Sequence, residues 1–208
     1  EALGEAAWRQ RAWPEVEGAA EELLAGGSLS AARAATWHYR SGVANDKLGD
    51  ARAAIAAFEQ VATSSATERA PALRSLAELY DRAGEPIRAA RALESFAADG
   101  NAGADARADA WYRAAEHYRK HEQRTAEAER CLEAALRLVE GHLPALDALE
   151  LIKRAQDDHD RVAVILGRKI AASGKHPARQ KALLARLAQL QDERLGRPDG
   201  ARETFRRA

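Results

Sequence analysis

Six turns punctuate the 208-residue sequence at nearly regular intervals, and they limit what the chain can fold into. Taking Arg11, Gly49, Gly84, Glu122, Asp157 and Gly196 as marks gives spacings of 38, 35, 38, 35 and 39 residues. Each mark ends one amphipathic helix and precedes a second. The clearest copy is Ala70 to Ala97, APALRSLAELYDRAGEPIRAARALESFA. Leu73, Leu76, Ala77 and Tyr80 fall at i, i+3, i+4 and i+7, one apolar stripe of a 3.6-residue period. Gly84 supplies a left-handed cap, and Pro86 opens the next helix, where its missing N–H costs nothing. Ala89, Ala90, Leu93, Phe96 and Ala97 then share one face. A pair this small cannot bury its apolar faces alone, so it must stack on copies of itself.

Composition agrees. Alanine makes up about a quarter of the chain, aromatic residues only 5%, and charged residues 31%. Such a mixture favours closely packed helices, and no run alternates β-branched with polar residues as a strand would. Lys and Arg number 32 and so do Asp and Glu, so no net field draws the chain to nucleic acid or anionic membrane. The basic pairs Arg119-Lys120, Arg168-Lys169 and Arg206-Arg207 lie among acidic residues on neighbouring turns, as surface ion pairs do. No apolar stretch is long enough to span a bilayer.

The helix pairs of this chain resemble the tetratricopeptide repeat, a helix–turn–helix of about 34 residues. The match rests on Leu73, Leu76, Ala77, Tyr80, Gly84-Glu85, Ala89, Leu93 and Phe96-Ala97, with Phe96 in a position usually held by Ala. Trp111, Ala115, Tyr118, Ala128, Leu132 and Ala135 repeat it in the fourth pair. The resemblance implies an all-α solenoid, a right-handed superhelix of about six units over residues 1–27, 28–65, 66–101, 102–141, 142–175 and 176–208. The first pair puts Leu3-Gly4 at its Leu-small position. The second departs from the pattern at Ser41 and Asn45, the fifth at Glu150, where a small residue belongs. The sixth places Ala201 and Phe205 in its second helix and stops mid-pattern, so the chain is expected to be a piece of a longer protein. The polar, Gly-rich segment 98–104 is the expected flexible point between units. Localisation is expected to be cytoplasmic, with the periplasm open to a longer chain.

In this family the first helix of each pair lines a concave surface that binds an extended peptide or a partner helix. Carried over by position, that face comprises Trp8; Tyr39, Val43, Asp46 and Lys47; Arg74, Glu78, Asp81 and Arg82; Asp109, Tyr112, Glu116, Arg119 and Lys120; Asp147, Leu151 and Arg154; and Gln189, Asp192 and Glu193. Tyr39 and Tyr112 are the sharpest anchors, since binding hot spots favour aromatic residues and Arg. The family's chaperone-tail clamp needs Asn at positions that here hold Val43, Glu78 and Glu116, so that activity is not expected. The mixed charge also argues against a uniformly acidic or basic ligand.

No catalytic constellation is present, and no cofactor is expected. His117 and His121 stand four apart, a spacing that can share a metal, but the ordinary reading is a charged helix end and no metal is expected. Cys131 lies on an inward helix face and reads as a structural thiol. The expected function is a non-catalytic protein-interaction scaffold whose partner is another protein or peptide. The alternative is a structural spacer or self-assembly module that associates through the ends of its stack.

Overall fold

The computed structural model describes residues 1–120, 122–174 and 176–208, and apart from one short 3-10 turn their regular structure is all α-helix. His121, half of the histidine pair, lies outside the described residues. Two compact units form, Glu1–Ala102 and Gly103–Ala208. The first contains α1 (Ala2–Gln10), α2 (Trp13–Ala25), α3 (Ala31–Leu48), α4 (Ala51–Ala62), α5 (Arg69–Arg82) and α6 (Pro86–Ala98). The second contains α7 (Ala104–Arg119), α8 (Thr125–Leu138), α9 (Leu143–Ala155), α10 (His159–Ala172), α11 (Pro177–Glu193) and α12 (Pro198–Arg206). A 3-10 turn, Glu122–Arg124, joins α7 to α8 where the sequence has no glycine. The segment boundary between the units falls in the Gly-rich stretch 98–104.

The turns between paired helices repeat one hydrogen-bond pattern. Ala12 donates its N–H to the Ala7 carbonyl, Asp50 to Asn45, Glu85 to Tyr80, Asp158 to Lys153 and Leu195 to Leu190, each five residues back. In the first four the bond closes over a residue in the left-handed region, whereas the Leu195 bond closes over Arg194 at φ −115° and the left-handed glycine, Gly196, follows it. Gly49 (φ 87°) and Gly84 (φ 72°) occupy that region without strain, whereas Arg11 (φ 56°) and Asp157 (φ 55°) do so as side-chain-bearing residues. With Gly196 (φ 60°), five of the six marks read in the sequence are therefore left-handed positions. The next helix starts on a side-chain cap where one is available: Asp50 accepts from the Ala53 N–H at 2.9 Å and Asp158 from Arg161 at 3.1 Å.

Alanine lets the helices approach closely. Ala54, Ala77, Ala89, Ala115, Ala128 and Ala135 are all but fully buried, interleaved with Phe58, Leu93, Leu132 and Leu146. Glycine carries close approach further in the first unit. A Cβ on Gly4 would lie 2.5 Å from the Trp37 ring, and one on Gly42 would lie 2.7 Å from Phe58. Ser41 and Asn45, the two departures in the second pair, are buried but satisfied: Ser41 donates to Glu17 at 2.8 Å, and Asn45 to the Ser41 carbonyl at 3.1 Å.

Two expected core residues point outward. Leu3 is 87% exposed, because Gly4 and Ala7 take the inward face of α1. Phe205 is 53% exposed, because Ala201 and Thr204 face α11 and Thr204 donates to Gln191 at 2.8 Å.

Tyr80 shows how polar tips are managed in this thin core. Its ring is buried, and its hydroxyl donates to Glu59 at 2.6 Å while accepting from Arg88 at 3.0 Å. Burial, then the Glu59 carboxylate, pushes the phenol up to about 12. The native state thus holds a proton that the unfolded chain releases near pH 10. That increment of stability is complete below pH 10 and falls away as pH rises toward 12. Denaturation of wild type and Tyr80→Phe over this range should show the steeper decline in wild type; parallel declines would remove Tyr80 as the source.

Candidate functional site

Within each unit, consecutive first helices are tied to each other by side chains about one repeat apart in sequence. From α1 to α3, Arg40 grips Glu5 through both guanidinium nitrogens, at 2.6 and 3.2 Å. That hydrogen bond holds the Glu5 carboxyl below its ordinary range. From α3 to the start of α5, Thr36 donates to Glu68 at 2.7 Å, and Asp46 pairs with Arg82. In the second unit His142 caps α9, accepting the Ala145 N–H on Nδ1 at 3.2 Å. Its other ring nitrogen, Nε2, then carries the proton and donates to Asp109 of α7 at 2.9 Å. Between α9 and α11, Glu150 pairs with Arg186.

These ties consume several side chains of the inferred binding face. In the first unit Trp8 is half-buried, edge-on to Trp13 with centroids 6.0 Å apart, and the Arg40 guanidinium lies 5.4 Å from its ring. Tyr39 is half-buried with its ring 5.7 Å from Phe58, and burial raises its hydroxyl above the usual phenol range. Val43 is half-buried beside it on α3. Lys47, Arg74, Glu78, Asp81 and Arg82 are exposed, and the Arg74 guanidinium lies 6.0 Å from the Phe96 ring.

In the second unit Tyr112 packs 5.7 Å from His142, half-buried, and burial again raises its hydroxyl. Glu116 pairs with Arg119 at 2.8 Å, while Lys120 is exposed. Asp147 is exposed and pairs with Lys169; Arg154 is exposed and reaches Glu150 through Nε at 2.9 Å. Leu151 stands 58% exposed between them. Gln189 donates to Glu193 at 2.9 Å, and Asp192 is exposed.

Sequence reasoning missed Arg40 and Glu150 as organising residues of this face. Both are charged residues whose partner lies one repeat away, Glu5 at 35 positions and Arg186 at 36, so a charge complement at the repeat period is the signal that could have found them. Among the described residues no group of three or more His, Cys, Asp or Glu is arranged to hold a metal, and no helix is long and apolar enough to cross a membrane. Cys131 is buried on α8.

No protein-family model and no curated protein matches the chain. Solved structures do. The crystal structure of MamA aligns over 83% of this chain and 88% of its own, with a TM-score of 0.52 and 19% identity. A double mutant of MamA RS-1 aligns over 83% and 91%, with a TM-score of 0.51 and 19% identity. A putative kinesin light chain of Podosopora anserina with nearly identical TPR-like repeats aligns over 85% and 93%, at a TM-score of 0.46 and 18% identity. What the MamA structures share with this chain is the fold, an all-α helical repeat of the tetratricopeptide type.

Proposed function

We infer that this helical repeat is a non-catalytic protein-interaction module whose first-helix faces receive a peptide or a helix of a partner. The observation that carries the reading is Leu151. A large apolar side chain 58% exposed on the first-helix face of α9, framed one turn either way by Asp147 and Arg154, is an anchor inside a charged rim. The exposed Arg74, Glu78 and Arg82 on α5 offer both signs of charge along one stripe, which suits a ligand that alternates charge. Tyr39 on α3 and Tyr112 on α7 are half-buried on the first-helix faces of their own units, packed against Phe58 and His142.

A photocrosslinking residue introduced at Glu78 or Leu151, in lysate of the source cell, should give adducts with another protein at least tenfold above the same residue at Arg91 or Glu133. The latter two are exposed positions on second helices. Equal labelling at all four sites would remove the first-helix faces as the binding surface. Adducts confined to copies of the same chain would favour the self-assembly reading instead.

A further inference from the structure

We propose that the crevice between the fifth and sixth helix pairs receives an acidic side chain of the partner, gripped by Arg154, Arg186 and Arg194. The inference rests on the interaction reading above and gives one part of that surface its ligand chemistry.

The starting point is a charged residue where the repeat wants a small one. Glu150 is 4% exposed and Lys169 5% exposed, and buried charges persist only when paired. Glu150 Oε2 meets the Lys169 ammonium, while Oε1 meets Arg186 and, at 2.9 Å, Arg154 Nε. Lys169 also touches Asp147. Three cations therefore converge on two carboxylates. A guanidinium has five N–H donors in a fixed plane, and these contacts occupy few of them.

The unspent donors have somewhere to point. The side chains of Arg154 and Arg186 are 50% and 44% exposed, and both line a cavity of about 430 Å³ together with Arg194, His159, Gln189 and Glu193. Glu193, the carboxylate of that lining, already receives Gln189. Counting the cluster behind the wall, Arg154, Arg186, Arg194 and Lys169 face Glu150, Asp147 and Glu193, so donors and positive charge are in surplus. Val162 and Leu190 complete the wall and lower the local dielectric. Glu150, itself fixed by Lys169, holds one nitrogen of each of the Arg154 and Arg186 guanidiniums before any ligand arrives, so a carboxylate meets donors already oriented.

A rival cation cluster lies on second helices, where Arg137, Arg161 and Arg168 border a cavity of about 510 Å³. There Arg168 donates to the Leu136 and Glu140 carbonyls at the end of α8, and Glu133 and Glu140 share the rim. That cluster closes a helix end and serves as the internal control.

The test uses fluorescein-labelled hexaglutamate amide and the whole 208-residue chain, read by anisotropy at low salt. Saturable binding is expected, weakened at least tenfold in Arg154→Gln/Arg194→Gln and unchanged in Arg137→Gln/Arg161→Gln. Arg194→Gln alone, which leaves the Glu150 cluster intact, should weaken it severalfold, so a folding defect cannot account for the loss. A labelled Gly-Ala hexapeptide with a free C-terminus should bind poorly; if it binds as well as hexaglutamate amide, the crevice takes chain ends and the acidic-side-chain assignment falls. The proposal also falls if hexaglutamate does not bind, or if the second-helix variant loses as much. Adducts at Leu151 without hexaglutamate binding would overturn this inference alone; hexaglutamate binding without adducts would overturn the interaction reading and, with it, the assignment of the crevice to a partner's side chain.

Discussion

Glu150→Ala should destabilise the second unit by about 3 kcal/mol or more, the cost of stranding buried charge. The substitution takes one carboxylate away from Lys169, Arg154 and Arg186 together. The two arginines can turn to water, since half of each side chain is already exposed. Lys169, 5% exposed, cannot, and would keep only Asp147. Glu150→Leu/Lys169→Met should therefore be more stable than Glu150→Ala, returning to within about 1 kcal/mol of wild type, because a matched apolar pair needs no compensation. Urea denaturation of the three proteins gives the answer. A single variant within about 1 kcal/mol of wild type would show that the ammonium finds solvent or another partner.

In the first unit the largest effect is expected from Trp37→Ala, at about 3–5 kcal/mol. Trp37 is 1% exposed, its ring so close to Gly4 that no Cβ fits between, and Arg40 stacks 4.7 Å from its centroid. Truncation would open a void beside α1 and unseat the arginine that grips Glu5. Besides this contact and that ion pair, α1 is held by the small cluster of Ala7, Val16 and Ala44 and by Trp8 packed on Trp13 and Arg40. Amide exchange should therefore accelerate first in α1 and α2, with α5 and α6 following wild type. Uniform acceleration through residues 1–102 would mean that the unit opens as a whole instead.

The helices were legible because their stops are local chemistry. Gly49 and Gly84 are left-handed caps, and Pro86, Pro144 and Pro177 open helices, so the boundaries follow from residues within one turn. Arg11 and Asp157 adopt the same conformation without glycine's freedom, and only the repeat spacing located them. Orientation was less legible at Leu3 and Phe205. Each sits one position from the residue that faces the neighbouring helix, and on a helix of nine residues one position is a swing of about 100°. On the candidate face the charges of α5, carried over from the family's positions, are exposed. What could not be read was which charges are already spoken for, because Asp46 with Arg82 and Asp109 with His142 are contacts made across a whole repeat.

Those cross-repeat ties have a kinetic consequence. Glu5–Arg40, Thr36–Glu68, Asp46–Arg82, Asp109–His142, Glu150–Arg186 and Asp160–Arg197 link residues 32 to 37 positions apart. Each closes a loop of one repeat, so none has to wait for distant parts of the chain to meet, and the entropy of closure is the same small toll at every step. Each unit can therefore start folding at any of its pairs and grow outward in either direction, as a zipper does. During synthesis, each later pair of a unit can lock onto its predecessor as soon as about one further period has emerged, leaving little apolar surface waiting in the open.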